Sequence, residues 1–128
     1  MKLSAKFLKN VVNVNTFQYV TQWDISEGSA QKLFFQIIDK HKEDLRYIPQ
    51  DAPFVVKVTF LSIDDDAIIE KTAVQSFTDD KSIWEIELLA TEVPNTGSAK
   101  FSLSENGVEA KFKVEQAIVV SLLNDGGC

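Results

Sequence analysis

The chain has 128 residues, a formal net charge of −6 and a single cysteine, Cys128, at its final position. This length fits one domain with a self-sufficient core, and one cysteine cannot form an internal disulfide. The acidic balance argues against a nucleic-acid surface, because it repels phosphate. The most apolar stretch, Ala117–Leu123, is shorter than the roughly 20 residues that cross a bilayer as a helix. We therefore expect a soluble protein with no nucleic-acid or membrane partner.

The first residues of the chain are basic, whereas the rest is acidic. Lys2, Lys6 and Lys9 all precede Asp24, the first acidic residue. Such a segment either docks on the acidic body of an identical neighbour or is a solvated terminus. We assign residues 1–16 to a basic N-terminal arm or first strand, 17–123 to a β-sandwich domain and 124–128 to a flexible tail.

Two strands are predicted before residue 40. Residues 11–23 are rich in Val, Thr, Asn and aromatic side chains, which indicates an irregular or bulged strand that Ser26-Glu27-Gly28 ends. Residues 30–39 have apolar side chains at both parities, so this strand should be covered on both faces. A helix is the alternative for residues 30–39, but their aromatic and β-branched content favours a strand.

The middle of the chain predicts a long loop and two strands. Lys40–Pro53 is charged and contains two of the three prolines, which marks a loop. Phe54, Val56, Val58 and Phe60 form one apolar row with Lys57 and Thr59 opposite, and Asp64-Asp65-Asp66 closes that strand as a turn. Residues 67–75 form the next predicted strand.

The last third predicts a strand and a tight hairpin. After a polar turn at Thr78–Ser82, the apolar residues Trp84, Ile86 and Leu88 alternate with glutamates. Apolar residues then alternate with polar ones from Ala99 to Val114, and only Asn106-Gly107 interrupts them. Asn-Gly between two alternating runs is the strongest short hairpin signal.

These elements together predict the fold class. Short strands separated by turns at intervals of about ten residues, without a long helix, are typical of an all-β sandwich or barrel. We expect an antiparallel immunoglobulin-like β-sandwich of about seven to eight strands. Trp23 and Trp84 should lie in its core, where an indole usually finds a partner for its N–H.

The sequence offers no catalytic constellation. His41 is the single histidine, and it lies among charged loop residues, where an exposed surface position is expected. The Asp64–Asp66 run could bind calcium, but it lacks the glycine and the distant glutamate of an EF-hand, so a structural turn is preferred. We predict no catalytic residues, no metal and no cofactor, and hence no enzyme.

Two other features could contact a partner. Tyr47, in the long loop, could form a sugar or receptor platform; alternatively, Leu45 and Ile48 pin the loop onto the core while Arg46 pairs with a carboxylate. Near the end of the chain, Ile118, Val120 and Leu122 share one face and Ala117, Val119 and Leu123 share the other. Because both faces are apolar, that strand is either buried under a covering layer or exposed to a partner subunit.

Several segments, read in order, resemble small virion proteins of tailed bacteriophages. The segments are "QKLFFQIID", "LRYIPQDAPFVVKVTF", an aspartate-rich turn, "KTAVQSFTDDKSIWEIELLATE" and "GSAKFSLSENGVEAKF". Proteins of this kind are β-sandwich components of the neck, tail or baseplate, or decorations of the capsid. The resemblance covers about residues 17–122.

The resemblance implies a non-enzymatic part that is present in many symmetry-related copies and acts through its interfaces. Its partners would be other virion proteins and copies of itself in a homo-oligomer, and its location would be the virion, after synthesis in the host cytoplasm. The turn at Asp79 and Asp80 would present a polar tip to a neighbour, and the N-terminal lysines would tie subunits together. The alternative is a carbohydrate- or host-receptor-binding module. The interface residues that we expect are Lys2, Lys6, Lys9, Arg46, Tyr47, Asp79, Asp80, Val119 and Leu123.

Overall fold

A computed structural model describes residues 2–9, 17–43, 45–49 and 53–121. These residues form ten β-strands and one 3-10 helical turn at Lys40–Lys42. No helix in the described ranges is long and apolar enough to cross a membrane. The strands are β1 (Leu3–Leu8), β2 (Tyr19–Val20), β3 (Trp23–Ser26), β4 (Gln31–Asp39), β5 (Leu45–Arg46), β6 (Phe54–Leu61), β7 (Ala67–Gln75), β8 (Ile83–Leu88), β9 (Gly97–Glu105) and β10 (Val108–Ser121).

The strands form one mixed sheet that is nearly closed into a barrel. Their order is β2-β1-β4-β8-β7-β6-β9-β10-β3, and β5 pairs with β4 outside this path. β7 and β8 are joined by two residue pairs, Val74 with Glu85 and Gln75 with Trp84. This short junction links a first half-sheet, β2-β1-β4-β8, to a second half-sheet, β7-β6-β9-β10-β3.

The prediction of an all-β protein is confirmed. The expectation of purely antiparallel pairing is wrong for one pair, because β3 runs parallel to β10. The chain leaves β2 at one edge of the sheet and, after two residues, enters β3 at the opposite edge. The described chain also has more strands than the seven to eight expected, because β2 and β5 contain two residues each.

Large aromatic side chains fill the space inside the sheet. Trp23, Phe35, Phe60, Trp84 and Phe101 are all buried, and the Trp23 ring lies 5.8 Å from that of Phe35 and 6.1 Å from that of Phe101. Such tilted and edge-on pairs stabilise a core beyond the area that they bury. The prediction that both tryptophans are core residues is therefore confirmed.

The strand β4 is covered on both faces, as its sequence predicts. Its inward side chains, among them Phe35, belong to the main core. Phe34 points to the other face, where it forms a second small cluster with Leu8 and Ile83. Phe17 packs against this outer cluster, which therefore stabilises the outside of the first half-sheet.

The predicted hairpin is confirmed in its register. Asn106 and Gly107 connect β9 to β10 with φ angles of 49° and 84°, the conformation of a type I′ turn. Phe101 pairs with Phe112 across the strands, and the two rings stack 5.2 Å apart. Phe101 is buried whereas Phe112 is half-buried. Phe112 lies on the half of β10 that, within the described ranges, has a paired strand on one side only.

The end of β10 is irregular. The register against β9 shifts between Val114 and Ile118, and Gln116 has a φ of 55°. Because of this bulge, Ala117 and Ile118 are both buried in the main core although they are adjacent in sequence. Val119 is half-buried, and its role in a subunit contact stays a prediction. Leu123 lies outside the described residues.

Candidate functional site

The outer face of the first half-sheet brings together side chains from four strands and one turn. Lys6 on β1 pairs with Gln36 on β4, and Ile38, two residues further along β4, pairs with Arg46 on β5. Residues separated by two along a strand share a face, so Lys6, Gln36 and Arg46 point to the same side. Tyr19 on β2 and Asp80 in the turn before β8 complete the group. We call these five residues the Arg46 surface.

A closed ring of hydrogen bonds organises this surface. The Tyr19 hydroxyl donates to Gln36 Oε1 at 2.8 Å, and the Gln36 amide donates to Ser82 Oγ at 3.0 Å. The Ser82 hydroxyl then donates to Asp80 Oδ1 at 2.5 Å. Arg46 closes the ring with two longer contacts, 3.5 Å to Asp80 Oδ2 and 3.4 Å to the Tyr19 hydroxyl oxygen. Each hydroxyl both donates and accepts, which satisfies its hydrogen-bonding capacity within the ring.

The ring runs from the interior to the surface. Gln36 and Ser82 are buried, whereas the Arg46 side chain is 45% exposed and Tyr19 is 48% exposed. An exposed arginine–aspartate contact contributes little to stability, about 0 to 1 kcal/mol. The buried members matter more, because a buried polar group that loses its partner costs about 1 to 3 kcal/mol. The inner half of the ring therefore holds the outer half in place.

Aromatic rings support both cations of the surface. Lys6 Nζ lies 5.2 Å from the centre of the Tyr19 ring, and the Arg46 guanidinium carbon lies 5.6 Å from the centre of the Phe17 ring. The Phe17 and Tyr19 rings meet edge to face at 5.4 Å. Cation–π contacts of this kind reduce the freedom of long basic side chains before any partner arrives.

Three of the residues predicted from sequence meet on this surface: Lys6, Arg46 and Asp80. The hypothesis that Arg46 pairs with a nearby carboxylate is confirmed by its contact with Asp80. Asp79, next to Asp80, is exposed and lies outside the hydrogen-bonded ring. Lys9 is also exposed, and its backbone N–H donates to the Gln18 carbonyl at 3.0 Å.

Tyr47 attaches the loop to the core and does not form an exposed platform. It is half-buried against the main core, and its hydroxyl donates to the Glu105 carboxylate. Leu45, which was expected to pin the loop onto the core, is 61% exposed. The loop is therefore attached through Tyr47, and Leu45 is left at the rim of the Arg46 surface.

The two acidic turns are organised by serine hydroxyls. Ser62 Oγ accepts the backbone N–H groups of Asp64 and Asp66, and Ser82 N–H donates to Asp80 Oδ1 at 3.0 Å. These local bonds are typical of polar turns. No group of three His, Cys, Asp or Glu side chains within the described ranges is placed to hold a metal ion. His41 is exposed in the 3-10 turn, as its sequence context predicts.

Sequence reasoning missed Tyr19, Gln36, Ser82 and Phe17. One signal was present, because Gln36 is an amide in the middle of β4 with an apolar residue on each side, Phe35 and Ile37. A buried amide requires hydrogen-bonding partners, so Gln36 marks the place where a polar network had to form.

No protein-family model matches this chain, and no curated protein matches it either.

Proposed function

We propose that this protein is a non-enzymatic structural subunit that acts through contacts with copies of itself and with other proteins of one assembly. The observation that carries the proposal is the hydrogen-bonded ring that holds Arg46 and Tyr19 at the surface. Arginine and tyrosine dominate the energetics of protein interfaces, and a side chain that is already ordered loses less entropy on binding. Leu45, exposed beside them, adds apolar area to the same surface.

The resemblance to small virion proteins supports a wider proposal. The assembly would be the virion of a tailed bacteriophage, and the subunit would belong to its neck, tail or baseplate or decorate its capsid. The immunoglobulin-like sandwich is part of this proposal, and the all-β barrel-like sheet is compatible with it. Many copies of one contact surface, related by symmetry, would then build the particle.

The alternative of a carbohydrate- or receptor-binding module receives less support. Its best residue was Tyr47, whose hydroxyl is hydrogen-bonded to Glu105 and whose ring packs on the core. Stacking on a sugar requires an exposed aromatic face, and Tyr47 is half-buried. A glycan array that showed specific binding, with loss of that binding in Tyr47→Ala, would favour the module.

Sedimentation velocity over a wide concentration range tests the proposed function. We expect the protein to form oligomers as its concentration rises, and Arg46→Ala to weaken their formation about tenfold or more. Leu89→Ser is the matched control, since Leu89 is 52% exposed and lies outside the Arg46 surface. A protein that stays monomeric at every concentration, alone and with the other components of its particle, contradicts the proposal.

A further inference from the structure

The turn between β6 and β7 exposes an apolar side chain among carboxylates. Ile63 is 94% exposed, the largest value for any large hydrophobic residue within the described ranges. Asp64, Asp65 and Asp66 follow it directly. We call Ile63–Asp66 the acidic tip. Ile63 contributes nothing to the core of its own chain, and with the adjacent carboxylates it presents a surface that is apolar at its centre and acidic at its edge.

The acidic tip has a defined shape. The Ser62 hydroxyl accepts the N–H groups of Asp64 at 3.2 Å and of Asp66 at 3.1 Å, and the Ser62 N–H donates to the Asp66 carbonyl at 2.8 Å. Asp65 Oδ1 lies 2.9 Å from Lys113 Nζ on β10. These bonds fix the turn and leave the carboxylates of Asp64 and Asp66 outside any ion pair in the described structure.

A groove lined by apolar and basic residues lies at the gap between β1 and β10, where strand pairing of the described residues does not close the barrel. β1 pairs with β2 at Phe7 and Leu8, and β10 pairs with β3 from Ile118 to Ser121. The first halves of β1 and β10 lie close to each other and line one groove, without a strand pairing between them in the described structure. The groove between these halves is lined by apolar side chains of Leu3, Ala110 and Phe112.

Lysines surround this apolar lining. Lys2, Lys40, Lys111 and Lys113 all line the groove, and the described residues of its lining include no acidic side chain. We call it the lysine groove. Lys111 and Lys113 have carboxylate neighbours on their own chain, whereas Lys2 makes no ion pair within the described residues. The groove thus combines an apolar floor with a basic rim, while the acidic tip combines an apolar side chain with an acidic rim.

We infer that the acidic tip of one copy seats in the lysine groove of a second copy. Ile63 would cover Leu3 and Phe112, and Asp64 and Asp66 would approach Lys2 and Lys111. The choice of a second copy rests on the proposed function and on this charge complementarity within a chain of net charge −6. Ile63 does not fill the groove of its own chain, since it is 94% exposed.

The contact between Asp65 and Lys113 bears on how two copies could be arranged. It places the acidic tip beside one end of the lysine groove on the same molecule. Two copies can then exchange tips reciprocally, which makes a closed two-fold contact and leaves the Arg46 surface free for other neighbours. A chain with two different contact surfaces can build assemblies larger than a dimer.

Sedimentation equilibrium in an Arg46→Ala background tests this contact, because that background removes the other proposed contact. We expect a monomer–dimer equilibrium whose Kd rises about 100-fold or more in Ile63→Ser, since a reciprocal contact loses the apolar burial of two isoleucines. Lys2→Glu and Asp64→Lys should each weaken the dimer, and their combination should restore it. Leu89→Ser again serves as the exposed apolar control and should leave the Kd unchanged.

The two proposals fail in different ways. A dimer whose Kd does not respond to Ile63→Ser, or a charge exchange that restores nothing, overturns the inference and leaves the proposed function standing. A wild-type protein that never associates, with itself or with other components, overturns both. Assembly of the wild-type protein that is insensitive to Arg46→Ala but sensitive to Ile63→Ser supports the tip contact and rejects the role of Arg46.

Discussion

Gln36 donates an amide hydrogen to Ser82 Oγ at 3.0 Å, and both residues are buried. This bond connects the middle of β4 to the turn before β8, 46 positions away in the chain. The candidate contact surface therefore depends on a polar pair that lies beneath it.

Replacement of Ser82 by alanine should destabilise the protein by about 1 to 3 kcal/mol, because the buried amide of Gln36 loses its acceptor. Urea unfolding followed by circular dichroism measures the change. Asp79→Ala, in the same turn but exposed, is the control and should change the free energy of unfolding by less than about 0.5 kcal/mol. Equal effects of the two substitutions would show that the ring has no stabilising role.

The connection between β9 and β10 should depend on glycine at one position. Gly107 has a φ of 84°, and an added Cβ would meet no atom within 4 Å. The cost of Gly107→Ala is therefore conformational, about 1 kcal/mol or more, because L residues are strained in the left-handed region. Asn106→Gly is the matched control and should be nearly neutral. Thermal unfolding of both variants measures the difference, and a neutral Gly107→Ala would contradict the type I′ assignment.

The hairpin also shows what the sequence predicts well. Its alternation and its Asn-Gly turn are local signals, and so are the apolar rows of β6 and β8, all of which the structure contains. The pairing of β3 with β10 is different, because it joins residues near opposite ends of the chain. No local periodicity encodes which distant edges meet, so the sequence is typical of a sandwich or a barrel alike and does not predict the parallel pair.

The candidate site could be predicted only in part, because its residues come from segments that are distant from one another in the chain. Arg46 and Asp80 attract attention in sequence because charged residues in turns are exposed. The side chains that organise them, Tyr19 and Ser82, are ordinary residues of short segments, and only the sheet order makes them neighbours. Gln36 alone carried a local sign of the network, as a polar residue in an apolar strand.

The two tryptophans should respond differently to the same substitution. Trp23 Nε1 donates to the Phe34 carbonyl at 2.7 Å, whereas Trp84 Nε1 is buried and has no hydrogen-bond partner among the described residues. Both side chains are 2% exposed, so replacement by phenylalanine removes a similar volume from the core. We expect Trp23→Phe to cost about 1 kcal/mol more than Trp84→Phe, since only Trp23→Phe deletes a hydrogen bond. Guanidinium unfolding curves of the two variants check this order, and equal costs would contradict it.

Acid should weaken the protein partly through Glu92. The hydrogen bond from Lys71 Nζ, at 2.5 Å, and the backbone N–H of Leu89 hold the pKa of the Glu92 carboxyl below its usual value. A group whose pKa is lower in the folded state stabilises that state at pH values above its unfolded pKa. The contribution is lost as the pH falls through the folded pKa. NMR titration of the Glu92 side chain should therefore give a midpoint below that of an unstructured glutamate.

Glu92→Gln should make the acid side of the stability profile shallower, because glutamine accepts the same hydrogen bonds but does not titrate. The urea midpoints of wild type and variant, measured from pH 7 down to pH 3, should converge as the carboxyl of the wild type becomes protonated. The same substitution at Glu87, which is exposed on β8, provides the control. If the wild-type and Glu92→Gln profiles stay parallel over this range, the hydrogen bonds to Glu92 do not couple its ionisation to folding.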